Sequence, residues 1–402
     1  MKILLLTPDL PYPCESGVAL RSFGMLRGLR EAGHEIALLS FASAMPSAES
    51  NPLYELCTTV QVVPLPTHSR RKRLQKMLTS GQADMQHRLA SATFEQSIKA
   101  LLHGETFDLI QFFGIEFGRF LPLIQAHGQG AKLVYDAQNA EADLQRAIAQ
   151  IDRQQPRRWL SALYSRVQAR RLLRFEGEIC RAVDLVVAVS GEDEQLLLQH
   201  AGAPIYVLSN GITVDDYRPP DSSLRERWQL VFSGKMDYRP NVDAIEWFCA
   251  EIMPRVRENL PQTRLCIVGR NPHARILALA DENTRVTGWV ESVQPYLHAA
   301  ALYIVPLRMG SGTRLKILQA LASGCTVVST SIGAAGLHDE ALATLQLADT
   351  AEDFAEAIVA LLKDDAARAE TGASAQASVR KHYDWSALLP RLLDGYRSIG
   401  LG

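Results

Sequence analysis

Short apolar runs alternate along the chain with longer stretches in which apolar residues recur every three or four positions. The runs at 2–6, 35–41, 60–64, 109–113, 132–135, 185–189 and 205–208 span four to seven residues each, are rich in Val, Ile and Leu, and lack polar alternation. Strands covered on both faces of a parallel sheet have this composition. Amphipathic stretches such as 18–32 and 94–102 separate them and predict helices. Strand alternating with helix predicts a doubly wound α/β sheet.

The pattern then restarts. Apolar runs recur at 230–233, 265–268, 285–287, 302–305 and 326–329, with helices predicted over 242–258, 313–322, 351–362 and 366–382. Between the two series, 210–221 is rich in turn residues and contains Pro219 and Pro220, the signature of a linker. Two Rossmann-like domains of similar size follow, 1–217 and 218–383, and 384–402 is expected to form a helix returning to the first. Open parallel sheets bind ligands at the carboxyl ends of their strands. With the domains facing each other across a cleft, the loops after the strands are the place to look for chemistry.

Composition narrows the class. With 47% hydrophobic residues in 402, the chain can build two cores. Its 42 basic and 44 acidic residues give a net charge of −2, which removes any whole-protein case for a nucleic-acid partner. The six cysteines are scattered with no CxxC pair, so neither a zinc ribbon nor a thioredoxin-type motif is expected, and reduced thiols in a cytoplasm are. The longest apolar run, 299–307, has nine residues and includes Pro306, far short of the ~18 of a spanning helix. The N-terminal apolar stretch is too short for a signal peptide and reads as the first strand.

Three segments carry candidate chemistry. The richest is 305–324, where an apolar run leads through Gly310, Ser311, Gly312 and Thr313 into a helix bearing Arg314, Lys316 and Gln319. Backbone N–H groups at such a turn, with two cations beside them, suit an anion such as a phosphate. An equally ordinary reading is a glycine turn with a surface Arg and Lys. Lysine is sparse, nine of the 42 basic residues. Gly234 and Lys235 end the first run of the second series, with Asn241 expected to cap the next helix. Gly17 lies between the first run and the first helix, where it permits close approach of a ligand.

The segments VYDAQNAE (134–141), VVAVSGEDEQLL (186–197), LSNGITVDDYRP (208–219), VFSGKMDYRPNVDAIEWF (231–248), LCIVGRNP (265–272), the long stretch containing GSGTRLK (310–316), and DWSALLPRLLDGY (384–396) occur in order over nearly the whole chain. Together they resemble the retaining GT-B glycosyltransferases of family 4, and within it the subgroup with a GSGTRLK donor loop, typical of bacterial surface-polysaccharide transferases. The resemblance implies sugar transfer from a nucleoside-diphosphate sugar, held by the second domain, to a glycan or lipid-linked acceptor held by the first. It implies no metal and no further cofactor; no DxD triplet occurs. By position, Gly310, Ser311, Gly312 and Thr313 would meet the diphosphate and sugar, and Gly234 and Lys235 the pyrophosphate. Gly269, Arg270, Trp289 and Val290 would line the nucleobase pocket, and Gly17 would approach the donor from the opposite wall.

Four positions depart from the family pattern. A pair of Glu residues with seven residues between them is replaced by Ser311 and Gln319, the latter at the ribose position. A Lys near Pro240 is missing, which makes Lys316 or Arg314 its substitute. A His between the domains is replaced by Gln138, whose amide, with Asp136 and Asn139, would bind acceptor hydroxyls. Attack by the acceptor, assisted by the leaving phosphate, needs no protein nucleophile, so the catalytic candidates are Lys235, Lys316 and Gln138. The substitutions also suit a catalytically silent binding subunit, and the architecture suits a GT-B sugar-nucleotide epimerase. A nicotinamide-dependent oxidoreductase is disfavoured by the absence of GxGxxG after the first run.

Two basic clusters remain. Arg70, Arg71, Lys72, Arg73 and Lys76 form one; the stretch from Arg153 to Arg181 carries eight Arg against two Glu. Arg166, Arg170 and Arg174 recur every four residues on one helix face, suiting either an anionic membrane surface or a solvated helix.

Overall fold

The structure is a computed structural model and describes residues 1–14, 16–43, 51–66, 80–153, 159–218, 224–309 and 314–402. The chain divides into two compact units, Met1–Ser209 with Leu389–Gly402, and Asn210–Leu388.

The first unit holds the strands β1 (Lys2–Thr7), β2 (Glu35–Ala42), β3 (Thr59–Pro64), β4 (Leu109–Phe113), β5 (Lys132–Ala137), β6 (Leu185–Ala188) and β7 (Ile205–Val207). They form one parallel sheet in the order β3-β2-β1-β4-β5-β6-β7, at the apolar runs that predict them. The reason is burial on both faces: Ile3, Leu4, Leu5 and Leu6 are all fully buried, leaving no polar side to the strand. The main helices are α1 (Gly17–Glu31), α2 (Ala92–Gly104), α3 (Glu141–Arg153) and α4 (Trp159–Ala182). Serines start two of them: Ser16 Oγ accepts from Ala19 N at 3.1 Å and Ser91 Oγ from Phe94 N at 3.3 Å.

The second unit holds β8 (Glu226–Ser233), β9 (Arg264–Val268), β10 (Thr284–Val286), β11 (Ala300–Val305), β12 (Thr326–Ser329) and β13 (Gln346–Leu347), parallel in the order β10-β9-β8-β11-β12-β13. Its helices include α5 (Arg239–Trp247), α6 (Leu315–Ala322), α7 (Ala351–Lys363) and α8 (Asp365–Tyr383). The last helix, α9 (Trp385–Arg397), begins in this unit and from Leu389 belongs to the first. Two expectations change. The two-residue strand β13 is too short to leave a hydrophobic pattern. The helix expected over 242–258 is interrupted: α5 ends at Trp247, a π-turn follows at Phe248–Ile252, and a new helix runs Met253–Asn259. Pro254 has no N–H for the ordinary ladder, and the wider turn accommodates it.

Both sheets reverse their winding direction once, between β1 and β4 in the first and between β8 and β11 in the second. Such a switch point leaves a crevice at the carboxyl ends of the strands, and ligands of doubly wound sheets sit there. In the second unit the chain leaving β8 at Ser233 and the chain leaving β11 at Val305 flank it. In the second unit the crevice thus lies at segments that the sequence motifs occupy.

Candidate functional site

The crevice of the second unit is built on two glycines. Gly234 has φ +149° and Gly269 φ +152°, a region that side chains rarely adopt. A Cβ on Gly269 would lie 1.7 Å from the carbonyl oxygen of Gly234, so the two backbones cross in direct contact. The crossing is stitched by Gly234 N to Val268 O at 3.0 Å, Met236 N to Arg270 O at 3.0 Å and Gly269 N to Gly288 O at 3.2 Å. Gly234 N–H is therefore spent inside the protein and is not one of the donors that an anion would meet.

Lys316, on the first turn of α6, reaches across this crossing. Its Nζ donates to Asn241 Oδ1 at 2.7 Å, lies 4.3 Å from the centroid of the Phe232 ring, and is 2.9 Å from where a Cβ on Gly234 would stand. Asn241 in turn donates from Nδ2 to Lys235 O at 2.9 Å. Asn241 is not the cap expected of it: Tyr238 holds that position, and Asn241 is a buried bridge between the turn after β8 and the lysine. Burial, with the charge of Arg314 adding to it, pushes the Lys316 ammonium down to about 7. Lys235 differs in kind. Its side chain is half exposed and its ammonium lies 3.7 Å from Asp237, so it is a solvated cation at the rim. Arg308 is committed to Asp243, through Nε at 3.0 Å and Nη2 at 2.8 Å.

Gln319, one turn beyond Lys316, donates from Nε2 to the Tyr217 hydroxyl at 2.9 Å, which leaves its carbonyl oxygen as an acceptor. Arg270 and Gly269 follow β9, and Trp289 and Val290 follow Gly288; Val290 packs partly on the core, whereas Trp289 is 61% exposed. Arg314 occupies the cap of α6. Gly310, Ser311, Gly312 and Thr313 lie outside the described residues. The structure thus brings together Gly234, Lys235, Gly269, Lys316 and the unforeseen Asn241.

In the first unit, Gly17 is exposed at the start of α1. Asp136, expected to meet an acceptor, has no exposed surface, and both its oxygens are occupied. Arg21, also fully buried, grips it through Nε to Oδ1 at 2.9 Å and Nη2 to Oδ2 at 3.1 Å, while Nη1 donates to Leu208 O at 3.1 Å and Ser209 O at 2.9 Å. Gln111 Nε2 donates to Oδ2 at 3.2 Å and Gln138 Nε2 to Oδ1 at 2.6 Å; the Tyr396 hydroxyl of α9 donates to Gln111 Oε1. Asp136 is therefore a structural anchor, and Gln138 is held by it, with its carbonyl oxygen facing away from that bond. Asn139 donates to Glu141 Oε1 at 3.0 Å, a local contact at the start of α3.

Around the switch point of this sheet stand three carboxylates, of which only Glu141 lies in a motif segment named above. Asp9 follows β1, Glu116 follows β4 and Glu141 opens α3. Burial foremost, and then the negative charge of Glu116, push Glu141 up to about 7. Burial also raises Glu116, against the pull of Arg88, whose Nη1 is 3.9 Å away. A site lined this way accepts hydrogen bonds from hydroxyls and repels anions. Arg21 left one sequence signal: it precedes Met25 by four positions and Gly28 by seven, on the buried side of α1.

Two family models match the chain: "Glycosyltransferase Family 4" over residues 16–216, half of its length, and "Glycosyl transferases group 1" over residues 227–364. The chain belongs to glycosyltransferase family 4. Among family relatives, the phosphatidyl-myo-inositol mannosyltransferase of Mycolicibacterium smegmatis is 25% identical over 232 residues, 53% of this chain and 57% of that protein. An uncharacterized 44.6 kDa protein in the cps region of Klebsiella pneumoniae is 24% identical over 164 residues, covering 39% of this chain and 42% of that one. The chain spans just under three fifths of the mannosyltransferases it matches, 57% and 59%. Solved structures match along the whole chain. WaaG, a glycosyltransferase involved in lipopolysaccharide biosynthesis, superposes with a TM-score of 0.65 at 16% identity, covering 100% of both chains. Anabaena HepE with UDP-glucose gives 0.63 at 14% identity, covering 99% of this chain and 100% of that one. These matches show the GT-B fold, with its two Rossmann-like sheets.

Other expectations fall on surfaces. Arg70, Arg71, Lys72, Arg73 and Lys76 lie outside the described residues. On α4, Leu163 (54%), Tyr164 (41%) and Val167 (37%) are exposed, alongside exposed Arg166, Arg170 and Arg174. No described helix is long and apolar enough to cross a membrane. The six cysteines form no disulfide.

Proposed function

We propose that this family-4 protein is a retaining, metal-independent glycosyltransferase that moves a sugar from a nucleoside-diphosphate sugar to a hydroxyl of a glycan or lipid-linked acceptor. The observation that carries the reading is the convergence of Lys316, Asn241, Gly234 and Gly269 at the switch point of the second sheet. A departing nucleoside diphosphate accumulates negative charge, and a cation held in place before the reaction stabilises it without reorganisation. Lys316, with Lys235 and Arg314 beside it, supplies that charge; Gln319 Oε1 accepts from the ribose, and Trp289 and Arg270 cover the base. The first domain (1–217) takes the acceptor, whose hydroxyls meet Glu116, Glu141 and Gln138; the second (218–383) takes the donor, and 384–402 closes back on the first. The names of the phosphatidyl-myo-inositol mannosyltransferases and of WaaG, which is involved in lipopolysaccharide biosynthesis, support a role in surface glycolipid or polysaccharide synthesis, and we place that role at the cytoplasmic face of the membrane.

Thermal-shift screening against UDP-, GDP-, ADP- and dTDP-sugars tests the donor, since a ligand of the folded state raises the unfolding midpoint. Sugar release or transfer by purified protein follows. Stabilisation by none of these donors sinks the proposal. Binding without hydrolysis or transfer makes the protein a silent binding subunit, and a changed sugar on the free nucleotide makes it an epimerase. Contact with an anionic bilayer through α4 is part of the same reading, because apolar Leu163 and Val167 stand among three arginines. Flotation with phosphatidylglycerol vesicles should be salt-sensitive and lost in an R166E/R170E/R174E variant.

A further inference from the structure

Among the described residues, no carboxylate is paired with Lys316. Its ammonium offers three donors and uses one, to the neutral amide oxygen of Asn241. The other face lies against the Phe232 ring. The charged groups on the neighbouring elements are otherwise engaged or of the wrong sign. Asp237 pairs with Lys235 at 3.7 Å, and Asp243 with Arg308 at 2.8 Å. Arg270 follows β9 and Arg314 precedes Lys316 on its own helix, both positive. The residues 310–313, immediately before Arg314, are Gly, Ser, Gly and Thr and bring no ionisable side chain. Phe232 and Asn241 both favour the charged form, the ring through its negative face and the amide through its oxygen. The side chain is partly buried, and the desolvation of its amine outweighs both, pushing it down from the usual lysine range to about 7.

We propose that this lysine acquires its charge from its ligand: binding of a nucleoside-diphosphate sugar is coupled to uptake of one proton by Lys316. This rests on the donor reading above. Each phosphate of a sugar nucleotide carries one ester and one anhydride bond, leaving a single strongly acidic oxygen ionised across the neutral range, so the ligand brings two fixed negative charges and no titration of its own. Set beside Nζ, they supply a counter-ion and return the amine to its ordinary range. The sign follows by linkage. Below pH 6 the free amine is already charged and the donor Kd is flat. Above pH 7 the free amine is neutral, a proton must be taken up, and Kd rises about tenfold per pH unit until the bound amine also titrates. A site built this way holds the diphosphate before transfer and, because its charge depends on the ligand, relaxes when the nucleotide leaves.

Isothermal titration calorimetry at pH 8 in two buffers of different protonation enthalpy counts the protons, using UDP-glucose, GDP-mannose, ADP-glucose and dTDP-glucose as probes. The wild-type protein should take up close to one proton per donor bound. K316R, which keeps its charge at all relevant pH values, should bind with none and show a Kd independent of pH between 6 and 9. K316M should bind at least tenfold more weakly, also without uptake. Binding by wild type with no proton uptake, or an uptake unchanged in K316R, overturns the proposal while leaving the donor reading standing. Failure of all four probes to bind overturns the donor reading itself.

Discussion

Replacing Arg21 by methionine isolates the anchor of the first unit. Arg21 and Asp136 are both fully buried, and the guanidinium donates to both carboxylate oxygens and to the carbonyls of Leu208 and Ser209. Methionine fills similar volume but leaves the carboxylate with only the amides of Gln111 and Gln138. Removing one partner of a buried pair costs about 3–5 kcal/mol. An independent bound agrees: the carboxyl can escape by protonation, and for an aspartate of ordinary pKa near 3.9 that costs about 4 kcal/mol at pH 7. For a unit of this size each kcal/mol moves the midpoint by about 2–4 °C, so a fall of about 6–20 °C is expected. Burial already raises Asp136 against the pull of Arg21, and without Arg21 it rises further. A raised folded pKa means that stability is recovered as pH falls, so at pH 5 the penalty should shrink to about 1.5–2 kcal/mol. Urea unfolding should be followed by far-UV circular dichroism, because four of the five tryptophans (Trp228, Trp247, Trp289 and Trp385) lie in the second unit. The double variant R21M/D136N, with no buried charge, should regain more than half of the loss. A change under 1 kcal/mol at pH 7, or a loss that does not shrink at pH 5, refutes the reasoning.

Gly269→Ala places a methyl 1.7 Å from a backbone oxygen, which cannot yield as a side chain would, and should cost more than about 4 kcal/mol; Gly33→Ala, at φ +84° with nothing within 4 Å, should cost only about 1–2 kcal/mol, and equal losses would count against the crossing. Glu141 is pushed up to about 7, so its favourable contribution exists at low pH and is lost as pH rises from about 4.5 through 7. Glu141→Gln should therefore gain about 1–3 kcal/mol over wild type at pH 8 and little near pH 5, and a pH-independent difference in chemical denaturation contradicts this. Gln319→Glu keeps the Tyr217 contact, adds a charged acceptor at the ribose position, and should lower the donor KM about three- to tenfold; an unchanged KM removes Gln319 from the nucleotide site.

The sheets were legible because burial on both faces leaves a local mark. Leu4, Val134 and Ile304 are fully buried in strands, and each sits in an unbroken apolar run that no helix of a half-exposed kind would carry. Motif order located the crevice of the second sheet for a related reason: glycines at 234 and 269 answer a backbone demand that is itself local in sequence. The break at Pro254 was also written in the chain, as a proline inside an apolar helical pattern, although the pattern alone extended the helix through it.

The contacts that decide chemistry had no such mark. Lys316 meets Asn241 across 75 positions, Arg21 meets Asp136 across 115, and Tyr396 meets Gln111 across 285. Sequence alone determined two α/β sheets, their strand runs, and a lysine and glycines able to meet an anion, because hydrophobic periodicity and backbone freedom act over a few residues. Only the tertiary structure decided that Asp136 is an anchor closed to ligands, that Asn241 bridges rather than caps, and that Lys316 meets a neutral amide and a ring face, with no carboxylate paired to it among the described residues. Charge, burial and hydrogen-bond supply depend on which distant segments the winding of each sheet brings together, and desolvation of an ionisable group exists only once that packing is complete.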